Sequence, residues 1–165
     1  MEIKVEGKNK KYAKYLRECY SGKYSDLTTF LLFKYEYIYF NKDDSSFSLN
    51  MNKLSSDSLS HLEIFGKLIS LLGDKPDMIV NNEISKIYLE DKGILLEINI
   101  RLTKQKIILY TENLNRIDDS YIKEILKNFI VEERKNLKIL EILQLKNKIN
   151  KWYPWLRMNR MLTYF

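Results

Sequence analysis

The chain has 165 residues, with 28 Lys and Arg against 22 Asp and Glu, a formal net charge of +6. A single cysteine, Cys19, excludes an internal disulfide framework. A single histidine excludes zinc fingers, ribbons and any other motif that needs two imidazoles from one chain.

Two prolines and five glycines argue against a turn-rich all-β fold and for long helices. With 45% hydrophobic and 30% charged residues, the composition is that of a globular chain. The positive charge is concentrated at the ends. Residues 1–23 hold seven Lys/Arg and three acids, residues 24–133 thirteen and eighteen, and residues 134–165 eight and one. No apolar run reaches the roughly 18 residues that span a bilayer, and the opening MEIKVEGKNKK has no signal-peptide core. A cytoplasmic location is expected.

Residues 1–19 read as a polar lead-in with a short helix around KKYAKYLREC. The first strong element is SDLTTFLLFKYEYIYF, residues 25–40. It is too long for a strand and too apolar for a single stripe, so a largely buried helix with Ser25 as N-cap is predicted. The polar stretch NKDDSSFSLNMNK separates it from SSDSLSHLEIFGKLISLLG. There Leu59, Leu62, Phe65, Ile69 and Leu72 recur every three or four residues, which predicts an amphipathic helix capped near Ser55 or Ser56 and stopped at Gly73. Residues 74–92 have no sustained period and read as a long connection. A third helix is predicted from about Ile94 to Arg116. An aspartate of Ile117-Asp118-Asp119-Ser120 then caps a fourth helix, which starts at Tyr121 and runs to about Lys148.

Helix, loop, helix, long crossover, helix, tight turn, helix is the order of a ferritin-like bundle. Short motifs point the same way. Tyr20-Ser21-Gly22 with Ser25-Asp26-Leu27-Thr28 resembles the first-helix "YAG…SELTA" signature of ferritin-like proteins related to manganese catalases and rubrerythrins. His61-Leu62-Glu63-Ile64-Phe65-Gly66, followed by Leu71-Leu72-Gly73-Asp74 and Pro76, resembles their second helix. Asn99-Ile100, Tyr110, Ile117-Asp118-Asp119 and Tyr121-Ile122 are similar to the third helix and its turn. Glu132-Glu133, Leu137 and Ile139-Leu140 resemble the fourth. The resemblance covers about residues 20–140.

The resemblance implies a dinuclear iron or manganese centre, held by one Glu from each of two helices and a Glu-x-x-His from each of the other two. Three residues turn a helix by about 300°, so each such pair shares one face. Carried over position by position, the first Glu corresponds to Asp26. His61 is kept, but Ser58 occupies its partner's place. The third-helix Glu corresponds to Thr103. Glu133 is kept, and Asn136 replaces the second His. A register shift on the fourth helix would offer Glu132 and Lys135 instead. Asp26, His61 and Glu133 are thus remnant metal positions, and Ser58, Thr103 and Asn136 are lost ones. No cofactor is expected; if one were held, it would be iron or manganese.

Buried carboxylates at Asp26 and Glu133 would need a compensating cation. Lys106, three residues after Thr103 on the same face, is the proposed replacement for the metal charge, with Arg134 as the other candidate. Glu63 lies about 200° round the helix from His61 and should face solvent. Cys19 has no resolving partner and reads as a structural thiol.

The C-terminal sequence KINKWYPWLRMNRMLTYF interleaves aromatics with basic residues, and Pro154 interrupts any helix entering it. Trp152, Tyr153, Trp155, Arg157 and Arg160 are the candidate partner-binding residues of this arm, residues 149–165. The expected protein is an all-α ferritin-like four-helix bundle, residues 20–148, with one long crossover and this arm. The expected role is non-catalytic: a bundle that has lost its di-metal centre and acts in assembly or as a partner subunit, as a homodimer or other homo-oligomer. A spore-associated setting is an analogy with relatives of the signature. Nucleic acid and membrane are not expected partners. The competing expectations are a peroxide- or dioxygen-handling metalloenzyme using the residual ligands, and a binding module acting through the arm.

Overall fold

Each helix begins where a polar side chain accepts hydrogen bonds from free backbone N–H groups of the first turn. The computed structural model describes residues 3–42, 44–78 and 91–152, and among these the chain forms five helices. Asn9 caps α1 (Lys10–Ser21), accepting from the N–H groups of Lys11 and Tyr12 at 3.1 Å each. Ser25 caps α2 (Asp26–Phe40) through the N–H of Thr28 at 3.2 Å, as predicted. Asp44 caps α3 (Ser45–Leu71) through Phe47 at 3.0 Å. Asp91 caps α4 (Lys92–Arg116), accepting from Gly93 at 2.7 Å and Ile94 at 3.1 Å. Asp119 caps α5 (Ser120–Trp152) through Tyr121 at 3.1 Å and Ile122 at 3.0 Å.

Helices α2 to α5 make the four-helix bundle, as two hairpins, α2–α3 and α4–α5, packed on each other. The fold is all-α and ferritin-like. Two expected helix bounds need correction. Helix α3 starts ten residues before Ser55, because Phe47, Met51 and Leu54 continue its buried stripe through the polar stretch. Helix α5 runs past Lys148 to Trp152. The short helix expected around KKYAKYLREC is α1, and its Ala13, Leu16, Cys19 and Tyr20 are buried against α3. Gly66 permits that contact: a Cβ there would lie 3.3 Å from the Tyr20 ring. Gly73 ends α3 with φ +85°, a left-handed conformation that favours glycine. Residues 79–90 of the predicted long connection lie outside the described residues. No described helix is long and apolar enough to cross a membrane.

The apolar core falls into two clusters. One includes Leu27, Leu62, Phe65, Tyr110, Ile125, Phe129 and Ile130. The other includes Leu32, Phe33, Met51, Leu54, Leu102 and Leu140. Buried polar residues lie between them on all four bundle helices: Asp26 and Thr29, Ser58 and His61, Thr103 and Lys106, Glu133 and Asn136.

Asp119 does more than cap α5, since its second oxygen accepts the Glu6 N–H at 2.7 Å while the residue is nearly fully buried. Asp119→Ala removes both roles. It is expected to destabilise the fold by about 2 kcal/mol, the upper end of the range for lost helix caps. A urea midpoint lowered at unchanged m-value checks this.

Candidate functional site

The polar layer is built from one face of each bundle helix. Asp26 enters from the first turn of α2 and Thr29 follows it one turn later. Ser58 and His61, Thr103 and Lys106, and Glu133 and Asn136 are likewise i, i+3 pairs that share a face. All eight are buried.

Lys106 occupies the centre. Its Nζ lies 2.8 Å from Glu133 Oε1 and 3.1 Å from Asp26 Oδ1, and donates to Thr29 Oγ1 at 3.1 Å. Its hydrogen bonds go to Asp26, Thr29 and Ser58, whereas Glu133 is held as an ion pair whose Oε1 has no hydrogen-bond partner among the described residues. Ser58 Oγ lies 3.5 Å from the same nitrogen and 3.0 Å from Thr29 Oγ1. Tyr110 closes the other side of Asp26 by donating its phenolic proton to Oδ2.

His61 completes the layer. Its Nδ1 lies 3.5 Å from Asp26 Oδ1 and 3.4 Å from Glu133 Oε1, within ion-pair range but long for a hydrogen bond. Its Nε2 lies 2.7 Å from Glu132 Oε2, and the ring stacks on Phe129 with centroids 3.8 Å apart. Carboxylates face both ring nitrogens, which favours the imidazolium, although only Nε2 makes a hydrogen bond among the described residues.

The electrostatics follow. Burial lowers the His61 pKa, but its bonding to Asp26 and Glu133 and their charges outweigh it, and the value rises to about 10. Burial likewise opposes the charge on Lys106, yet the two carboxylates raise its pKa above the ordinary lysine value. For Asp26, burial acts upward and is overcome by Lys106, His61 and Tyr110, so its pKa is lowered. Burial, reinforced by the Asp26 and Glu133 charges, raises the Tyr110 phenol well above its ordinary range. Two carboxylates, one ammonium and one imidazolium bring the buried layer to charge balance.

Asp26, His61 and Glu133 are therefore brought together, with one ligand atom from each lying within 4.8 Å of the others. Two metal ions of the kind the resemblance implies do not fit this donor set. Ser58, Thr103 and Asn136 offer neither carboxylate nor imidazole, and the Lys106 ammonium contacts the Asp26 and Glu133 oxygens that a cation would need. Thr103 Oγ1 has no hydrogen-bond partner among the described residues. Arg134 is not part of the layer: one residue after Glu133, it is turned about 100° away and exposed. Glu63 is exposed, as expected.

Thr29, Tyr110 and Glu132 were not singled out as site residues from sequence. Spacing could have flagged two of them, since Thr29 follows Asp26 by three and Tyr110 follows Lys106 by four. Cys19 is fully buried beside Asn113 Nδ2 at 3.1 Å, and burial pushes its thiol pKa far up, which leaves it inert. Of the arm, Trp152 ends α5 and is 79% exposed; Tyr153, Trp155, Arg157 and Arg160 lie outside the described residues.

No family model and no curated protein matches the sequence. Among solved structures, two crystal structures of KatB, a manganese catalase from Anabaena, the first from strain PCC7120, are similar. Each aligns at a TM-score of 0.73 and 17% identity, over 87% of this chain and 77% of that one. At this identity the likeness is one of fold. The chain therefore has the ferritin-like helical-bundle fold that KatB also has.

Proposed function

We propose that the protein is a non-catalytic ferritin-like bundle whose di-metal centre has been replaced by an internal ion-pair layer, and that it serves in assembly or as a partner subunit. The observation that carries this reading is the position of Lys106 Nζ, at hydrogen-bonding distance from both Asp26 and Glu133. A divalent metal brings charge and open coordination positions for a substrate. An ammonium supplies charge only, with its three donors already used. The layer then holds α2, α3, α4 and α5 in register and offers no vacant reactive position. Assembly as a homodimer or other homo-oligomer, and a protein contact through the C-terminal arm, residues 149–165, are part of the same reading.

Metal analysis tests the central point. Protein purified without chelator and then exposed to iron(II) or manganese(II) is expected to retain neither stoichiometrically. Retained metal that disappears in His61→Ala would establish the metalloenzyme reading instead, since Asp26, His61 and Glu133 are grouped closely enough to share one ion. Lys106→Met should leave two buried carboxylates facing each other and lower stability by about 3–5 kcal/mol. A near-neutral effect in chemical denaturation would count against the layer as the centre of the fold.

The charge on His61 has its own signature. A histidine whose folded pKa is raised to about 10 adds stability that is complete below its unfolded value near 6.5 and is lost as pH rises toward 10. The stability difference between wild type and His61→Asn should therefore shrink across that interval. A constant difference would mean that the folded imidazole is neutral.

Removing residues 153–165 tests the arm. A changed oligomeric state or a lower melting temperature is expected; identical sedimentation and stability would remove the arm from the proposal.

A further inference from the structure

A further buried acid lies outside the ion-pair layer, and among the described residues it has no ion-pair partner. Glu36, on α2, is fully buried on the face that also presents Phe33 and Phe40 to the second core cluster. Across the bundle, the fully buried Asn99 of α4 places Nδ2 2.9 Å from both Glu36 oxygens. Asn99 Oδ1 is buried with no hydrogen-bond partner among the described residues.

Counting protons identifies the state of the acid. A carboxylate can only accept, so it can never satisfy Asn99 Oδ1. A protonated carboxyl carries both a donor and an acceptor: once the Asn99 side chain tilts so that Oδ1 and Nδ2 lie side by side against it, it donates O–H to Oδ1 and accepts N–H on its other oxygen. Both side chains are then satisfied and no charge is left in the apolar cluster. We propose that Glu36 is a neutral carboxylic acid in the folded protein, and that its acid–amide pair with Asn99 is a pH-sensitive latch between α2 and α4.

Of the charged groups on neighbouring elements, Glu97 and Arg101 beside Asn99 are exposed, and others are engaged elsewhere. On α2, Lys34 Nζ bonds Asn52 Oδ1 of α3 at 3.0 Å, and Asp26 is held within the layer. On α4, Lys92 pairs with Asp44 at 3.1 Å, Lys104 lies 3.6 Å from Glu141 of α5, and Lys106 is held by Asp26 and Glu133. On α3, Lys53 pairs with Asp57. The uncharged buried residues Ser55, Asn136 and Leu140 complete the inward faces of α3 and α5 at this level.

Burial pushes the Glu36 pKa up, the Asn99 hydrogen bond opposes it, and the value settles at about 8. The folded state thus holds a proton that the unfolded chain releases near pH 4.5. This contribution to stability falls as pH rises from about 4.5 and levels off above about 8.

Glu36→Gln is the test, because a glutamine makes the same cyclic pair at every pH. Relative to this variant, the wild-type folding equilibrium constant should fall about a hundredfold between pH 6 and pH 9. His61 titrates identically in both proteins and cancels from the difference. A wild-type-to-variant difference that does not change over this range would overturn the proposal. A direct readout on the wild type covers the case in which the variant fails to fold. The Glu36 side-chain carbon, followed by NMR, should titrate near pH 8; a midpoint near the ordinary glutamate value would sink the idea.

Discussion

The ammonium of Lys106 is the point on which the bundle depends. It lies between carboxylates from α2 and α5, beneath hydroxyls from α2 and α3, and it is itself carried by α4. Four helices are thus joined at one nitrogen. Helices packed only through apolar side chains can slide by a turn at modest cost, because oil-like contacts are not directional. A buried charge that finds its counter-charges in one register alone does not tolerate such sliding. The layer also divides the apolar core, and the boundary falls at equivalent heights on the four helices: between Leu27 and Leu32, Leu54 and Leu62, Leu102 and Tyr110, and Ile130 and Leu140.

Much of this was legible in the sequence, and for physical reasons. Ser25 before an apolar run marks the start of α2, and the spacing from Leu59 to Leu72 marks the second half of α3. The residue types at Ser58, Thr103 and Asn136 already argue against two metals. The i, i+3 relation from Thr103 placed Lys106 on the inward face. The start of α3 was missed because Asp44, Ser45, Ser46 and Asn50 make that stretch polar on average, whereas Phe47, Met51 and Leu54 bury it. Arg134 looked equivalent to Lys106 as a charge, but helical phase separates it from Glu133. The Glu36–Asn99 pair was invisible because it depends on which residues of two distant helices come to the same height. Its one signal was an acid on the Phe33–Phe40 face of an aromatic helix.

The two buried acids of α2 follow opposite routes to the same end. Asp26 keeps its charge because a cation, a phenol and an imidazole surround it. Glu36 meets an amide and apolar side chains. Low dielectric strengthens every interaction in the first case and raises the cost of ionisation in the second. The bundle therefore has a charged layer and a neutral polar layer roughly 10 Å apart, the rise of the seven residues from Asn99 to Lys106 along α4.

The short segment ahead of α1 closes one end of this arrangement. Glu6 gives its N–H to Asp119 and accepts from Ser120, while the Asn9 N–H bonds the carbonyl of Leu72. Residues 6–9 therefore link the last turn of one hairpin to the connecting turn of the other. At the opposite end the described cross-link between hairpins is the ion pair of Lys92 with Asp44, which is partly exposed to solvent. The two hairpins are thus tied at one rim by the segment ahead of α1 and bridged at the other by Lys92, which also lies over the Phe40 and Phe47 rings. Separating the hairpins therefore means breaking, besides the two apolar clusters, the Glu6–Asp119 tie at one rim, the Lys92–Asp44 pair at the other and the Lys106 contacts between them.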